Sequence, residues 1–346
     1  MDTMLKIGMP AGSLADPNRG GNLINLLTNS GFNVAGYAQG GPTKFTSVNY
    51  LFGWDGRPQE FGSQLEINEI DVAIAGDDWI NERILEMDLE FRKEINLERV
   101  LALNRGGVKL VGIVDCDKFD TVEDFLTDLC SRKKLITVVS EMPYITLNWL
   151  RTKLNVIGLL EKFQSFSVQK YKTPSKIESG IIIYETWGKT EAKIKNGGAD
   201  IGLEITQSGS AIKNYGLKII DTVMLSQTSI WINTNVRKDA AKLELLNMFL
   251  LNLYGSINAE NKMMVMFNVP NGSVNLINSY LSEKNLFADE PTVSIGSKFT
   301  VYNIQIDAGN IDESLAKVRY ELAKRGATSI NTLPVQSSIP SIKVIL

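Results

Sequence analysis

The sequence contains no histidine. This absence excludes the Ser-His-Asp triad, the Cys-His dyad, every histidine-ligated metal site and any imidazole acid–base step. An enzyme built from this chain must therefore work by orientation and electrostatics, with carboxylates, or with a hard metal ion held by oxygen atoms.

Cysteine is scarce as well, and basic charge is not in surplus. Cys116 and Cys130 are the only cysteines, too few for a disulfide framework or a cysteine-rich zinc site, and they fit a reducing compartment. Lys and Arg number 36 against 39 Asp and Glu, for a net charge of −3. Such a balance disfavours general binding to nucleic acid or to a membrane surface.

Long apolar runs and a signal peptide are also missing. The most apolar stretch, Leu243 to Leu253, is interrupted by polar residues and falls short of the ~20 residues that span a bilayer. The opening residues, MDTMLKIGMP, lack a basic start, a long apolar run and a small-residue cleavage site. We therefore expect a cytoplasmic protein without nucleic-acid or membrane partners.

The length of 346 residues predicts two or three domains, and an apolar fraction of 44% is enough to build their cores. Short apolar runs alternate with amphipathic stretches through most of the chain, which is typical of an α/β fold. After residues 256–260 the pattern changes to an approximate βαββαβ order, which is typical of a ferredoxin-like domain.

Several local predictions concern the ends of strands. Val72 to Ala75 is expected to be a buried strand, followed by Gly76 to Asp78 as a loop, where ligands of open α/β sheets gather. The two aspartates of that loop favour a metal ion and a solvated turn about equally. A further strand is expected from Lys109 to Val114, and Ser140 is expected to cap a helix over Ile145 to Leu154.

The most informative segment runs from Glu204 to Lys213, after a predicted strand and into a predicted helix. Its Ser and Thr side chains supply hydroxyl donors, and Gly209 permits a positive φ and close approach of a ligand to the backbone. Free N–H groups at a helix start favour an anion such as phosphate. The same residues are equally typical of a capped helix start, and the spacing alone favours neither interpretation.

These residues resemble the phosphoribosyl-diphosphate loop of the ATP phosphoribosyltransferase family, in its long form. Further stretches resemble the same family in the same order, so the resemblance covers nearly the whole chain. The matching motifs are Pro10-x-Gly12-Ser13-Leu14, Arg57-x-Gln59-Glu60, Gly76-x-Asp78-Trp79, Glu141-x-Pro143-x-x-Thr146, Trp187-Gly188-x-Thr190-Glu191 and Glu204-x-Thr206-x-Ser208-Gly209-Ser210-x-Ile212.

The resemblance implies an α/β fold with two lobes like those of periplasmic binding proteins, a central cleft and a C-terminal ferredoxin-like (ACT-like) regulatory domain. Catalytic lobe I would comprise residues 1–104 with 223–256, and lobe II, which carries the phosphoribosyl-diphosphate loop, residues 105–222. The regulatory domain would comprise residues 257–346.

The implied reaction transfers phosphoribosyl from phosphoribosyl diphosphate to N1 of ATP, giving phosphoribosyl-ATP and pyrophosphate in histidine biosynthesis. The family also implies substrate-bound Mg²⁺ with no metal held by the protein, histidine as an inhibitor, and a homo-oligomer, either a dimer or a hexamer. This chemistry suits a chain without histidine, because adenine N1 is already a nucleophile and the departing pyrophosphate is stabilised electrostatically.

Site residues follow from the resemblance only where this sequence matches the family. Glu204, Glu141 and Lys109 are the candidate catalytic residues, with Glu204 on the ribose hydroxyls and Lys109 near the pyrophosphate or the ATP phosphates. The candidate substrate-binding residues are Thr206, Ser208, Gly209, Ser210, Ala211, Asp78, Arg57, Gly12 and Ser13.

The sequence departs from the family at three places. Ala11 stands where a Lys is usual, Leu147-Asn148 stands where a basic pair is usual, and an extra segment, 16–21, carries Arg19. Each cation lost beside a phosphate would cost about 1–3 kcal/mol, or about ten- to a hundred-fold in rate or affinity. We hypothesise that Arg19 or Arg151 compensates.

Two alternative functions stay open at this point. One is a phosphoribosyltransferase relative with a different acceptor base, and the other is a two-lobed protein that binds or senses a small anion. Pyrophosphate release with ATP alone would select the family reaction, release with another base the first alternative, and no release the second.

Overall fold

The structure, a computed structural model, describes residues 3–11, 22–37, 42–286 and 292–345. The chain divides into two compact units, the first formed by Met1–Ile24 and Val34–Leu245 and the second by Asn25–Asn33 and Leu246–Leu346. The lobe and domain boundaries expected from the sequence stay predictions. Within the described ranges, no helix combines the length and apolarity needed to cross a membrane.

Strands and helices alternate along the first unit, so the predicted α/β class is confirmed. Its described strands are β1 (Leu5–Pro10), β2 (Val34–Ala35), β3 (Lys44–Phe45), β4 (Leu51–Gly56), β5 (Val72–Gly76), β6 (Leu97–Val114), β7 (Leu135–Ser140), β8 (Phe166–Lys170), β9 (Gly180–Glu185), β10 (Ile201–Thr206) and β11 (Lys218–Asn233). The helices are α1 (Leu23–Asn29), α2 (Pro58–Glu66), α3 (Asp77–Phe91), α4 (Val122–Arg132), α5 (Pro143–Val156), α6 (Thr190–Lys195), α7 (Ser210–Asn214) and α8 (Ala240–Asn258), of which α1 and α8 extend into the second unit.

Nine of the described strands form one sheet in the order β4-β1-β5-β11-β6-β10-β7-β9-β8. Helices cover both faces of it. Val138 packs in a core cluster with Leu150 of α5, whereas its neighbour Val139 packs in another cluster with Ile194 of α6 and Ile212 of α7. Burial on both faces explains why these strands are continuous apolar runs rather than alternating ones.

The long antiparallel strands β6 and β11 join the two halves of this sheet. On one side β5 ends at Gly76, opposite Thr228 of β11. On the other side β10 ends at Thr206, opposite Lys109 of β6, which itself pairs with Leu225. Because β5 and β10 run in opposite directions, their carboxyl ends point toward each other, with an offset of three residues along β11, about 10 Å, and with β11 and β6 between them in the sheet.

The strand predicted from Lys109 to Val114 begins much earlier than expected, at Leu97. Its register against β11 breaks at the point where the strand ends converge: Arg105 pairs with Thr228 and Val108 with Ser226, so three steps along β6 match two along β11. This is a β-bulge, and Gly106 within it has φ of +61°. Bulges of this kind redirect a strand beside a functional site.

The loop predicted at Gly76 to Asp78 is wrong, because α3 begins directly at Asp77. The Asp78 carboxylate accepts a hydrogen bond from the Trp79 N–H at 2.9 Å, and acidic residues in a first helical turn are favoured by the helix dipole. The Asp77 carboxylate is also hydrogen-bonded, because it accepts the Trp231 indole N–H at 2.9 Å. Neither aspartate lies in a solvated turn.

The helix cap predicted at Ser140 is also wrong. Ser140 is the last residue of β7, and the helix begins at Pro143 with Met142 as its N-cap. Proline suits this first position because it has no N–H to leave unpaired. The Ser140 hydroxyl instead accepts the Met142 N–H at 2.8 Å, so it fixes the turn between strand and helix.

The second unit has its own sheet and its own core. Its described strands are β12 (Lys262–Pro270), β13 (Thr292–Ile295), β14 (Phe299–Asp307) and β15 (Thr328–Pro334), and its further helices are α9 (Val274–Glu283) and α10 (Leu315–Lys324). These strands are antiparallel in the order β13-β14-β12-β15. The order β-α-β-β-α-β with this pairing confirms the predicted ferredoxin-like pattern.

Candidate active site

A cavity of about 480 Å³ lies at the convergence of the strand ends in the first unit. Both halves of the sheet contribute to it, together with the bulge of β6. Residues that line it include Ala11, Arg57, Asp78, Gly106, Ile205 and Ser226. A concave site where the carboxyl ends of strands meet is where open α/β sheets bind ligands.

Arg57 and Asp78 enter this cavity from the first half of the sheet. Arg57 is exposed at the start of α2 and makes no ion pair with a described residue, so its guanidinium is available to an anion. Asp78 is only 5% exposed, and its N–H donates to the Ser226 hydroxyl at 3.0 Å. Burial raises the pKa of the Asp78 carboxyl, and the neighbouring charge of Asp77 acts in the same direction.

The predicted anion loop leads away from the end of β10 and is open to solvent at Ser208, Ser210 and Ala211. Gly209 adopts the left-handed conformation, with φ of +73°, and its N–H donates to the Thr206 hydroxyl at 2.9 Å. The hydroxyl groups of Ser208 and Ser210 lie 2.8 Å apart. The loop therefore has features of both interpretations: its hydroxyls stabilise the turn before the helix, as in a capped helix start, and they also face solvent, as an anion site requires.

Lys109 stands directly beside this loop. It is paired with Thr206 across the antiparallel strands β6 and β10, so the two side chains share one face of the sheet. Lys109 is exposed and makes no ion pair with any residue that the structure describes. A free ammonium group next to exposed hydroxyls is suited to bind a phosphate.

Carboxylates gather at the ends of the parallel strands β7 and β10. Leu203 pairs with Ser140, so Glu204 and Glu141 follow at the same edge. Burial raises the pKa of Glu204 to about 7, and the charges of Glu191 and Glu141 act in the same direction. Burial likewise raises the pKa of Glu141.

One oxygen of this cluster stands out, because Glu204 Oε2 is buried without a hydrogen-bond partner among the described residues. The Thr190 hydroxyl, which is fully buried, also has no partner within hydrogen-bond geometry among the described residues, but it lies close enough to Glu204 to oppose the rise in the pKa of that carboxyl. Buried polar atoms are normally paired, so these groups are suited to bind the hydroxyls of a ligand.

Of the predicted site residues, Arg57 and Asp78 line the cavity, whereas Lys109, Glu141, Glu204 and the loop from Thr206 to Ala211 are not among its lining residues. Gly12, Ser13 and Arg19 lie outside the described residues. Leu147, on α5, is fully buried in the core, where the charge of a basic side chain would be desolvated, so this position cannot accommodate the family's basic residue.

A larger cavity, about 700 Å³, lies near the amino ends of β7 and β10. Most of its charged groups pair with one another, Lys133 with Asp200, Lys195 with Asp115 at 2.9 Å and Arg132 with Asp128 at 2.5 Å, while Lys118 lies over the Phe119 ring. Because these charges satisfy one another, we assign the chemistry to the smaller cavity at the opposite strand ends.

Sequence patterns do not single out Glu82, which lies on α3. Its carboxylate accepts the N–H groups of Tyr144 and Ile145, both at 2.8 Å, at the start of α5. Burial raises the pKa of Glu82, against the opposing effect of these two donors. Only the tertiary structure brings the two helices together.

The described residues contain no group of three or more Cys, Asp or Glu side chains placed to hold a metal ion. The Asp77 carboxylate, which was a candidate ligand, binds the Trp231 indole and the Arg99 guanidinium instead. A divalent ion in this site would have to bring most of its oxygen ligands with the substrate, as Mg²⁺ does when it travels with phosphates.

Comparison with known proteins identifies the family of this chain. The family model described as HisG, ATP phosphoribosyltransferase, matches residues 57–253. An ATP phosphoribosyltransferase of Nitratidesulfovibrio vulgaris is 25% identical over 92% of this chain and 93% of its own length. One of Geotalea uraniireducens is 25% identical over 98% and 100% of the two chains. Among solved structures, a chain of the Thermotoga maritima HisG:HisZ complex matches 72% of this chain and 98% of its own, with 14% identity and a TM-score of 0.47.

The first unit has an α/β fold with a cavity where the carboxyl ends of its strands converge. The family match covers more than half of the chain, and the chain belongs to the ATP phosphoribosyltransferase family. It is an enzyme that takes ATP and phosphoribosyl diphosphate as substrates and carries out the first step of histidine biosynthesis.

Proposed function

We propose that phosphoribosyl is transferred to N1 of ATP where the strand ends converge, between the cavity lined by Arg57 and Asp78 and the loop that follows Glu204. The observation that carries this proposal is the buried Glu204 Oε2, which has no hydrogen-bond partner among the described residues and lies two residues before Thr206 on the same face of β10, at the head of an exposed hydroxyl loop. A sugar monophosphate has hydroxyls for the carboxylate and an anion for the loop, separated by a short distance.

In this proposal the loop from Thr206 to Ala211 binds the ribose 5-phosphate with its hydroxyls and backbone N–H groups. Glu204 accepts hydrogen bonds from the ribose hydroxyls, and Glu141 lies on the same side of the sugar. Lys109 contacts the departing pyrophosphate or the ATP phosphates. The exposed, unpaired state of Lys109 supports this assignment.

Arg57 and Asp78 approach from the other half of the sheet. Arg57 would bind a phosphate of either substrate, and Asp78 would line the cleft near the nucleotide or the ribose. Gly12 and Ser13, at the N-terminal loop, would complete the anion site. Since the donors come from both halves, the site orients two bound substrates, which is the main requirement of a displacement that needs no side-chain base.

Mg²⁺ would enter with the substrates, held by their phosphates and by water, and it would neutralise the charge of the leaving pyrophosphate. We further propose that the protein acts in the cytoplasm as a homo-oligomer, a dimer or a hexamer. The ferredoxin-like second unit would bind histidine as a feedback inhibitor. A change of rate or melting temperature with millimolar histidine is the expected result, and a flat response would contradict this regulation.

The reaction is tested by mixing the protein with phosphoribosyl diphosphate, Mg²⁺ and a panel of nucleotides and bases, with pyrophosphate release as the readout. Release with ATP alone, with phosphoribosyl-ATP identified by mass, is expected. Glu204→Gln should lower the rate, whereas the matched control Glu178→Gln, at an exposed position of the same unit, should not. Release with a different base only would contradict ATP as the acceptor.

A further inference from the structure

Glu82 connects the two halves of the first unit at the point where the site lies. It sits on α3, which follows β5, and it binds the start of α5, which follows β7. These two strands lie on opposite sides of the β6–β11 pair in the sheet. A single buried carboxylate, 9% exposed, therefore spans from one half to the other.

The contact has the geometry of a helix cap supplied from another element. Glu82 Oε1 accepts the Tyr144 N–H and Oε2 accepts the Ile145 N–H, both at 2.8 Å. The first N–H groups of a helix have no partner within the helix, and the two carboxyl oxygens of Glu82 each accept one of them. Because Glu82 occupies these donors, they are not free to bind a substrate anion.

The segment that Glu82 holds is the one that carries Glu141. Glu141 lies between Ser140, whose hydroxyl accepts the Met142 N–H at 2.8 Å, and the first turn of α5. Thr146 closes the other side by donating to the Ser140 hydroxyl at 2.9 Å. Ser140 and Thr146 are fully buried, so these contacts hold the turn that carries Glu141.

We propose that Glu82 is a positioning residue for the transfer reaction: it holds the Glu141 turn and fixes the α5 end of the site against the α3 end. The inference rests on the proposed role of Glu141. Removing the cap would loosen the turn and let the two halves of the site shift relative to each other, which lowers turnover more than it weakens substrate binding.

The test compares Glu82→Gln with Glu86→Gln, one turn further along α3, where the carboxylate pairs with Arg83 at 2.7 Å. Amide exchange at Tyr144 and Ile145 should become about tenfold faster in Glu82→Gln, with kcat about tenfold lower and KM nearly unchanged. Glu86→Gln should leave the amide exchange rates and kcat unchanged. If Glu82→Gln does not fold, Glu82→Asp, which keeps the charge but sets it back by one carbon, should show a smaller change in the same direction.

Faster amide exchange with an unchanged kcat would mean that the cap is only structural, and unchanged exchange would mean that the cap does not hold the turn. Either result overturns the proposal. Glu141→Gln is measured alongside: if it keeps full activity, the proposed role of Glu141 fails, whatever Glu82→Gln does to amide exchange.

Discussion

Thr206 and Lys109 lie directly opposite each other on the antiparallel strands β10 and β6. The pair places an exposed ammonium group at the head of the hydroxyl loop, at the place where the strand ends of both halves converge. Lys109 is 97 positions from Thr206 in sequence, so no local motif joins them. Substitutions at these two positions therefore test the proposed binding of the sugar phosphate and of the leaving group.

Lys109→Ala should raise the KM for phosphoribosyl diphosphate. Loss of a charge-assisted hydrogen bond costs about 1–3 kcal/mol, which is about ten- to a hundred-fold in affinity. Steady-state kinetics measure the effect, and Lys134→Ala, at an exposed position before β7, is the matched control. Equal KM values for the two variants would remove Lys109 from the site.

Gly209→Ala should damage the loop. A side chain at φ of +73° costs about 1–2 kcal/mol, and the added Cβ would lie 3.4 Å from Ile219 Cδ1. Gly158→Ala is a matched control, with φ of +70° and no atom within 4 Å. Both variants should lower the free energy of unfolding by about the same amount, but only Gly209→Ala should raise the KM for phosphoribosyl diphosphate.

The titration of Glu204 should be visible in stability. Its pKa is raised from 4.5 to about 7 by burial, so the folded protein binds more protons than the unfolded chain between these values. The free energy of unfolding should therefore decrease as pH rises from 4.5 through 7. Glu204→Gln should flatten this decrease, as measured by denaturant unfolding across that range, whereas Glu178→Gln should follow the parent protein.

Restoring the family's cations should have opposite effects at the two positions. Ala11 is exposed and lines the cavity, so Ala11→Lys should lower the KM for a phosphate-bearing substrate, by about tenfold if one charged hydrogen bond forms. Leu147 is fully buried, so Leu147→Lys should be destabilising by several kcal/mol because its charge would be desolvated. An inert Ala11→Lys would argue that no phosphate passes near Ala11.

The sequence by itself determined the alternation of strands and helices, the ferredoxin-like order after residue 260, and the loop around Gly209. These features depend on local periodicity and on glycine residues with wide backbone freedom, and both can be recognised from the sequence alone. The starts of α3 and α5 were predicted less well. At Asp77 the sequence is compatible with both an acidic turn and a helix start, and the start of α5 could lie at Ser140 or at Pro143. Contacts with distant residues decide between these alternatives.

Only the tertiary structure decided which strand ends meet, that Lys109 faces Thr206, and that Glu82 caps α5. Each of these relationships joins residues far apart in sequence through strand register or helix packing, and local pattern carries no information about either. It also decided that Leu147 is core while Ala11 is open to the cavity, because burial depends on which face of each element the rest of the chain covers.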